Sequence, residues 1–274
     1  MARHPFRVLF RCAGFVAIVI FSLLDFLLLV RLPGRHKQYR ARAEWLQRWS
    51  RRTLRLLGVR VQAHGTPPLR GLLTSNHLSY LDILVYASVH PVVFVSKSEV
   101  RDWPMIGWMT RCAGTLFINR RQRSDVNRVA AQFAPVIAQD RVVALFPEGT
   151  STNGRIVLPF RSSLLEPAAA NAWLVSPAWI GYSLADGRVE DEVCYWRDLS
   201  FGPHLLNLFT KETITARVAF GTPLPGGLDR KEMARALHAA ICQLAADHRH
   251  ALEASPAVIA EIARLANAAR GSAT

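Results

Sequence analysis

The chain is 274 residues long, carries a formal net charge of +14, and half of its residues are hydrophobic. That length suits one large α/β domain or two small ones with enough residues for a core, and the hydrophobic share excludes a disordered chain. Cys12, Cys112, Cys194 and Cys242 lie far apart with no Cys-x-x-Cys pair. They read as buried thiols in a reducing compartment and exclude a zinc ribbon or a disulfide frame.

The first element is apolar. From Cys12 to Val30 only Ser22 and Asp25 interrupt the run, with Arg3, Arg7 and Arg11 before it and Arg31 and Arg35 after. At about 1.5 Å per residue it spans roughly 28 Å as a helix, close to the hydrocarbon thickness of a bilayer. The run is longer than the apolar part of a cleaved signal peptide, and no small-x-small cleavage site follows it. A membrane anchor is expected, whether spanning or partly embedded, with Asp25 facing protein or the interface. Arg31 to Arg60 is dense in Arg and Lys, and Trp45, Leu46 and Trp49 recur within it at helical spacing. This predicts a basic amphipathic helix with tryptophans suited to the headgroup layer, on the cytoplasmic side against anionic lipid. Basic residues clustered beside a membrane segment argue against a nucleic-acid partner. Residues 1–60 are thus expected to form a membrane anchor and interfacial helix, and 61–274 a catalytic domain with C-terminal helices. The expected location is the cell inner membrane, with the catalytic domain on the cytoplasmic side.

After Pro67-Pro68, short β-type runs alternate with helical stretches. Leu72–Thr74, Val92–Val95, Thr115–Ile118 and Val142–Phe146 read as strands, as do Leu174–Ile180 and Thr215–Phe220. The clearest intervening helix runs from Asp125 to Gln139. Asp229 suits the cap of a helix reaching about His248, and Ser255-Pro256 opens another. The alternation predicts an α/β fold, a mixed and mostly parallel sheet flanked by helices.

Three constellations follow these strands. In Asn76-His77-Leu78-Ser79-Tyr80-Leu81-Asp82 a histidine and a carboxylate stand five positions apart at a strand-to-helix junction. On a regular helix they would point about 140° apart, so they meet only if His77 precedes the helix and Asp82 lies in its opening turns. Asp82 would then fix the ring's tautomer and leave its other nitrogen as general base. No nucleophile stands nearby, so the hydroxyl it serves belongs to the substrate. The plain alternative is a capping histidine and a solvated aspartate. Gly114–Arg121 ends a strand in Arg120 and Arg121, guanidinium forks suited to phosphate. In Phe146-Pro147-Glu148-Gly149-Thr150-Ser151 a tight turn offers the Glu148 carboxylate to a polyol, with hydroxyls and backbone donors from Thr150 and Ser151. No cluster has metal-ligand spacing, so no metal is expected.

His77 to Asp82, Gly114 to Arg120 and Phe146 to Gly149, in that order, resemble the motif set of the glycerolipid acyltransferases, which include the 1-acylglycerol-3-phosphate acyltransferases. The resemblance covers roughly Leu69 to Tyr182 and the membrane-proximal N-terminus. It implies that His77 deprotonates the acceptor hydroxyl and Asp82 orients it. Arg120, Glu148 and Gly149 would meet the acceptor's phosphate and glycerol, with Lys97 and Arg121 as further phosphate candidates and Thr150 beside them. Ser176-Pro177-Ala178 resembles a fourth motif, near the acyl donor. Phe160-Arg161-Ser162-Ser163 departs from the usual Phe-Lys-x-Gly, and Tyr195 to His204 has no assignment. The implied reaction transfers an acyl chain from acyl-CoA or acyl carrier protein, as co-substrate and without a bound cofactor, to a lysophospholipid such as 1-acylglycerol 3-phosphate. An alternative acceptor is another lysolipid, such as lyso-ornithine lipid. A membrane-anchored hydrolase with Ser79 or Ser151 as nucleophile is the rival class, although neither serine sits in a Gly-x-Ser-x-Gly elbow.

Overall fold

The computed structural model describes residues 4–103, 105–118 and 126–253. Helix α1 (Pro5–Phe26) runs on through a π turn at Leu27–Arg31, and α2 (Tyr39–Leu57) folds back against it. Gly58 ends α2 in the left-handed region at φ +72°, where a Cβ would also meet the Glu212 carbonyl oxygen at 2.5 Å. The chain then enters β1 (Val59–His64), β2 (Gly71–Ser75), α3 (Leu81–Val89) and β3 (Val92–Lys97). It continues through α4 (Ile106–Ala113), β4 (Leu116–Ile118), α5 (Val126–Ile137) and β5 (Val142–Leu145). The last third is α6 (Glu166–Ala170), β6 (Val175–Leu184), α7 (Val189–Glu192), α8 (Phe201–Thr210), β7 (Ile214–Phe220) and α9 (Arg230–Glu253).

The strands form one sheet in the order β1-β7-β6-β2-β5-β3-β4, antiparallel between β6 and β7 and parallel at every other pairing. β2 and β5 are buried at every residue, which is why their sequences are continuous apolar runs rather than alternating ones. Leu54 and Leu57 of α2, Leu81 and Val85 of α3, and Leu208 and Phe209 of α8 belong to one core cluster with the sheet. Phe133 and Val136 of α5, Ala168 of α6, and Met233 and Leu237 of α9 belong to the other. β2 and β5 are neighbours, yet β2 passes the chain to α3 in the first cluster and β5 passes it to α6 in the second. Adjacent parallel strands whose connections leave on opposite faces open a crevice at their C-terminal ends.

Three expectations are corrected. The basic helix does not reach Arg60: it ends at Leu57, the sheet begins at Val59, and α2 supplies Leu54 and Leu57 to the core under the sheet. The tryptophans do not face a headgroup layer. Trp45 and Trp49 are only 1% and 9% exposed, and their ring nitrogens donate to the Ser22 carbonyl (2.9 Å) and the Asp25 carboxylate (2.8 Å). The same Asp25 oxygen pairs with Arg48 at 2.9 Å. A carboxylate in an apolar helix is costly alone, and α2 provides its partners. Some of the basic residues are also engaged internally. Arg51 donates to the Ser88 carbonyl at the end of α3 (2.7 Å), and Arg42 to the Cys112 carbonyl at the end of α4 (3.0 Å). Arg11 of α1 donates to the Phe209 carbonyl at the end of α8 (3.2 Å) and to that of Lys211. Carbonyls of a last helical turn lack intrahelical donors and carry the negative end of the helix dipole, so guanidinium groups suit them.

The other side of α1 and of the π turn after it stays bare: Phe6, Leu9, Phe10, Phe21 and Leu28 are exposed, Phe6 to 87%. Among the described residues, Pro5–Arg31 is the helix long and apolar enough to cross a membrane. At the far end Asp229 caps α9 as expected, accepting from the Lys231 backbone at 2.8 Å. The helix expected from Ser255-Pro256 lies outside the described residues.

Trp45→Ala is expected to destabilise the protein by about 3–5 kcal/mol, the cost of emptying a well-packed aromatic site. Urea unfolding in detergent measures it; a tryptophan lying in the headgroup layer would leave stability nearly unchanged.

Candidate active site

Ser75 closes β2, and Asn76 continues the ladder with its side chain. Its amide donates to the Ile180 carbonyl and accepts from the Ile180 N–H, both at 2.9 Å. His77 follows at the C-terminal edge of the sheet, held on every side but one. Its N–H donates to Glu148 Oε1 (2.9 Å), and its carbonyl accepts from the Thr152 N–H (2.9 Å). Its ring stacks on Phe146, centroids 4.1 Å apart and planes within 13°. Nδ1 lies 2.8 Å from Asp82 Oδ2.

His77 stands before α3 and Asp82 in its first turn, as the spacing required. Asp82 is fully buried. Oδ2 also accepts from the N–H groups of Leu78 (2.7 Å) and Ser79 (3.1 Å), and Oδ1 accepts from the Tyr182 hydroxyl (2.6 Å). The carboxylate thus ties down the turn that leads into the helix that carries it. A carboxylate so supplied only accepts, so the ring proton sits on Nδ1 and Nε2 presents its lone pair. Nε2 has no partner among the described residues, and the His77 side chain is 22% exposed. The arrangement is an oriented imidazole with one open nitrogen, chemically able to accept a proton.

Glu148 departs from its expected role. It is 3% exposed and turned inward, its second oxygen accepting from the Leu158 N–H at 3.2 Å, so it holds the His77 main chain instead of reaching out to a polyol. Burial pushes its carboxyl up to about 7, and nearby Asp82 adds to the rise, against the two backbone donors that pull it down. Gly149 has φ +76°, and Arg161 Nε lies 2.7 Å from where a Cβ would stand. No other residue fits that turn without displacing Arg161, the second residue of the divergent Phe160-Arg161 stretch. Thr150 is exposed at the turn, and Lys97 is exposed at the end of β3, on the same edge as His77. Arg120 and Arg121 lie outside the described residues; Ile118, just before them, pairs with Lys97.

Tyr195 to His204 packs over the His77 loop. The Tyr195 N–H donates to the Leu78 carbonyl (2.8 Å), the Ser151 hydroxyl donates to the Tyr195 carbonyl, and the Tyr80 hydroxyl bonds His204 Nδ1 (2.9 Å). The rings of Tyr195, Phe201 and His204 meet Tyr80 with centroids at 5.3, 5.0 and 5.4 Å, an aromatic wall beside the base. Ser79 is fully buried, and the Ser151 hydroxyl is engaged on Tyr195, so neither candidate nucleophile is presented to His77. Tyr182, Asn76, Phe146 and Thr152 hold His77 and Asp82 in place, and no local sequence signal marks them for that role. Only Phe146 and Asn76 stand inside the recognised motifs.

The sequence profile of the Acyltransferase family matches residues 59–181, from the start of β1 into β6. A lyso-ornithine lipid O-acyltransferase of Rhizobium meliloti is 33% identical over 220 residues, 74% of this chain and 75% of its own. A 1-acyl-sn-glycerol-3-phosphate acyltransferase of Neisseria gonorrhoeae is 36% identical over 149 residues, 54% of this chain and 58% of its own. The crystal structure of the 1-acyl-sn-glycerophosphate acyltransferase of Thermotoga maritima shares the fold, with a TM-score of 0.64 over 90% of this chain and 96% of that one at 16% identity. The protein is an acyltransferase. It belongs to the glycerolipid acyltransferase family.

A buried carboxyl with a raised pKa stabilises the fold when protonated. Glu148 is therefore expected to contribute stability that is present below about 4.5 and lost as pH rises through about 7. The loss amounts to roughly 3 kcal/mol. Urea unfolding across that window should show the slope in the native sequence and a flatter profile in Glu148→Gln; parallel profiles would place the pH dependence elsewhere.

Proposed function

We propose that the protein transfers an acyl chain from a thioester, acyl-CoA or acyl carrier protein, to the free hydroxyl of a lysolipid at a membrane surface. The observation that carries this reading is the pairing of a bound Nδ1 with an open Nε2 on His77, without a side-chain nucleophile presented to it. The acceptor O–H gives its proton to Nε2 as its oxygen attacks the thioester carbonyl. The buried Asp82 carboxylate stabilises the imidazolium that forms. Collapse of the tetrahedral adduct expels the thiolate, which recovers the proton from Nε2. Backbone N–H groups of the Glu148–Ser151 turn are the candidate donors to the oxyanion. No acylated protein intermediate occurs.

Two acceptors fit. In the first, 1-acylglycerol 3-phosphate, Arg120 binds the phosphate with Lys97 and Arg121, and the product is phosphatidic acid. In the second, lyso-ornithine lipid, the same cations meet the amino-acid carboxylate. The greater extent of the match to the Rhizobium protein supports the second. The exposed apolar side of α1 and the exposed Arg35 and Arg55 hold the enzyme on an anionic lipid surface, the cytoplasmic side of the inner membrane in this reading. The hydrolase reading has no support from the positions of Ser79 and Ser151.

His77→Ala should lower kcat by about 10²- to 10⁴-fold with acceptor binding retained. Purified enzyme in detergent, given each lysolipid with labelled acyl-CoA and with acyl carrier protein, measures both turnover and head-group choice. Full activity of the variant on every acceptor would remove His77 as base, and an acylated serine peptide would revive the hydrolase.

A further inference from the structure

Between the segment after the Glu148 turn and the first turns of α9 lies an open groove of about 520 Å³, with Phe160 and Ser162 on one wall and Lys231, Arg235 and His238 on the other. That volume is in the range of small-molecule sites. Lys231, Arg235 and His238 stand four and three positions apart, which puts them on one face of the helix. Lys231 and Arg235 are exposed, and neither forms an ion pair among the described residues. Their neighbour Arg230, in contrast, is paired with Glu166 at 2.6 Å. The acids nearest in sequence are Asp229, which accepts from the Lys231 and Glu232 backbones, and Glu232 itself. The Phe160 ring meets His238 edge-on at 5.3 Å, and His238 Nε2 donates to the Val157 carbonyl at 3.1 Å. An imidazole so bound holds the Phe160 ring in place across the groove from the helix that carries the two cations.

The groove is continuous with the catalytic loop. Pro159 lines it, and the preceding Leu158 is held by the same Glu148 carboxylate that holds the His77 N–H. The Arg161 N–H donates to the Pro147 carbonyl at 2.9 Å, tying the following residue to the same turn. A ligand seated between Phe160 and Arg235 therefore lies at the end of a short backbone path that leads to the base.

We propose that this groove binds the phosphorylated nucleotide end of acyl-CoA. Lys231 and Arg235 take the phosphate oxygens, Phe160 lies against the adenine, and the pantetheine arm runs along residues 157–161 toward His77. A guanidinium fork and a point-charge ammonium suit a cluster of phosphates, and an aromatic face suits a base. A concave site of this size accommodates a nucleotide, whereas a carrier protein needs a broad docking face of about 800 Å². The proposal rests on the acyl-transfer reading and names its donor.

The test uses the intact chain in detergent and the double variant Lys231→Ala/Arg235→Ala, both exposed positions outside the catalytic loop. Adenosine 3′,5′-bisphosphate binding, read by calorimetry without turnover, should weaken at least tenfold in the variant. KM for acyl-CoA should rise by a similar factor with kcat unchanged, while turnover of the same acyl chain on N-acetylcysteamine, a thioester without a nucleotide, stays as in the native sequence. An unaltered melting temperature shows that the variant is folded, and Arg235→Lys should keep most of the binding. Equal nucleotide binding by the two proteins, or none by the native one, overturns the proposal. So does a KM increase confined to acyl carrier protein, which would make the groove a protein-docking face. Nucleotide binding without acyl transfer to any lysolipid would uphold the groove and sink the transfer reading instead.

Discussion

The Asp82 carboxylate is the interaction on which the rest of the site depends. It receives four donors: the His77 ring, two backbone N–H groups of the turn before α3, and the Tyr182 hydroxyl. The backbone pair fixes the turn into the helix, and a negative charge in its first turn is favoured by the helix dipole. The ring contact sets the tautomer of the base. One buried group therefore fixes the turn into α3 and the orientation of the ring, and that turn has one geometry because both demands fall on the same oxygen, Oδ2.

His77 is then trapped between two loops that leave the sheet on opposite faces. Asn76 locks the loop after β2 to β6, and Glu148 and Thr152 grip the His77 main chain from the loop after β5. Phe146, the residue after β5, supports the ring from below. The crevice arises where β2 and β5 lie side by side, so the site is a property of strand order as much as of the motifs. The aromatic wall from Tyr195 to His204 adds a side that none of the recognised motifs contains.

Much of the sheet was legible because its strands are short continuous apolar runs, and the His77–Asp82 contact because five residues across a strand-to-helix junction leave few geometries. The partners that complete the site were not legible, for physical reasons. Tyr182 is separated from Asp82 by 100 residues, and the contact exists only after β6 has paired with β2. A glutamate in a Pro-Glu-Gly turn reads as an exposed acceptor unless the two N–H groups that draw it inward are known. The arginines of α2 read as a solvated or lipid-facing stripe because composition records charge and not the helix ends that charge will meet. The basic stretch overlaps β1 at Val59 and Arg60 and masks it although Val59 to His64 alternates apolar and polar residues, because its pairing with β7 is long-range.

The engagement of α1 with the body has a practical side. Arg7 and Arg11 supply donors to carbonyls from Phe209 to Glu212, and Ser22 and Asp25 receive the two buried indoles of α2. The greasy N-terminal helix is thus a structural member of the catalytic fold and not a detachable tether. A version trimmed to begin at α2 for easier handling in aqueous buffer would leave those carbonyls without donors and uncover Trp45 and Trp49.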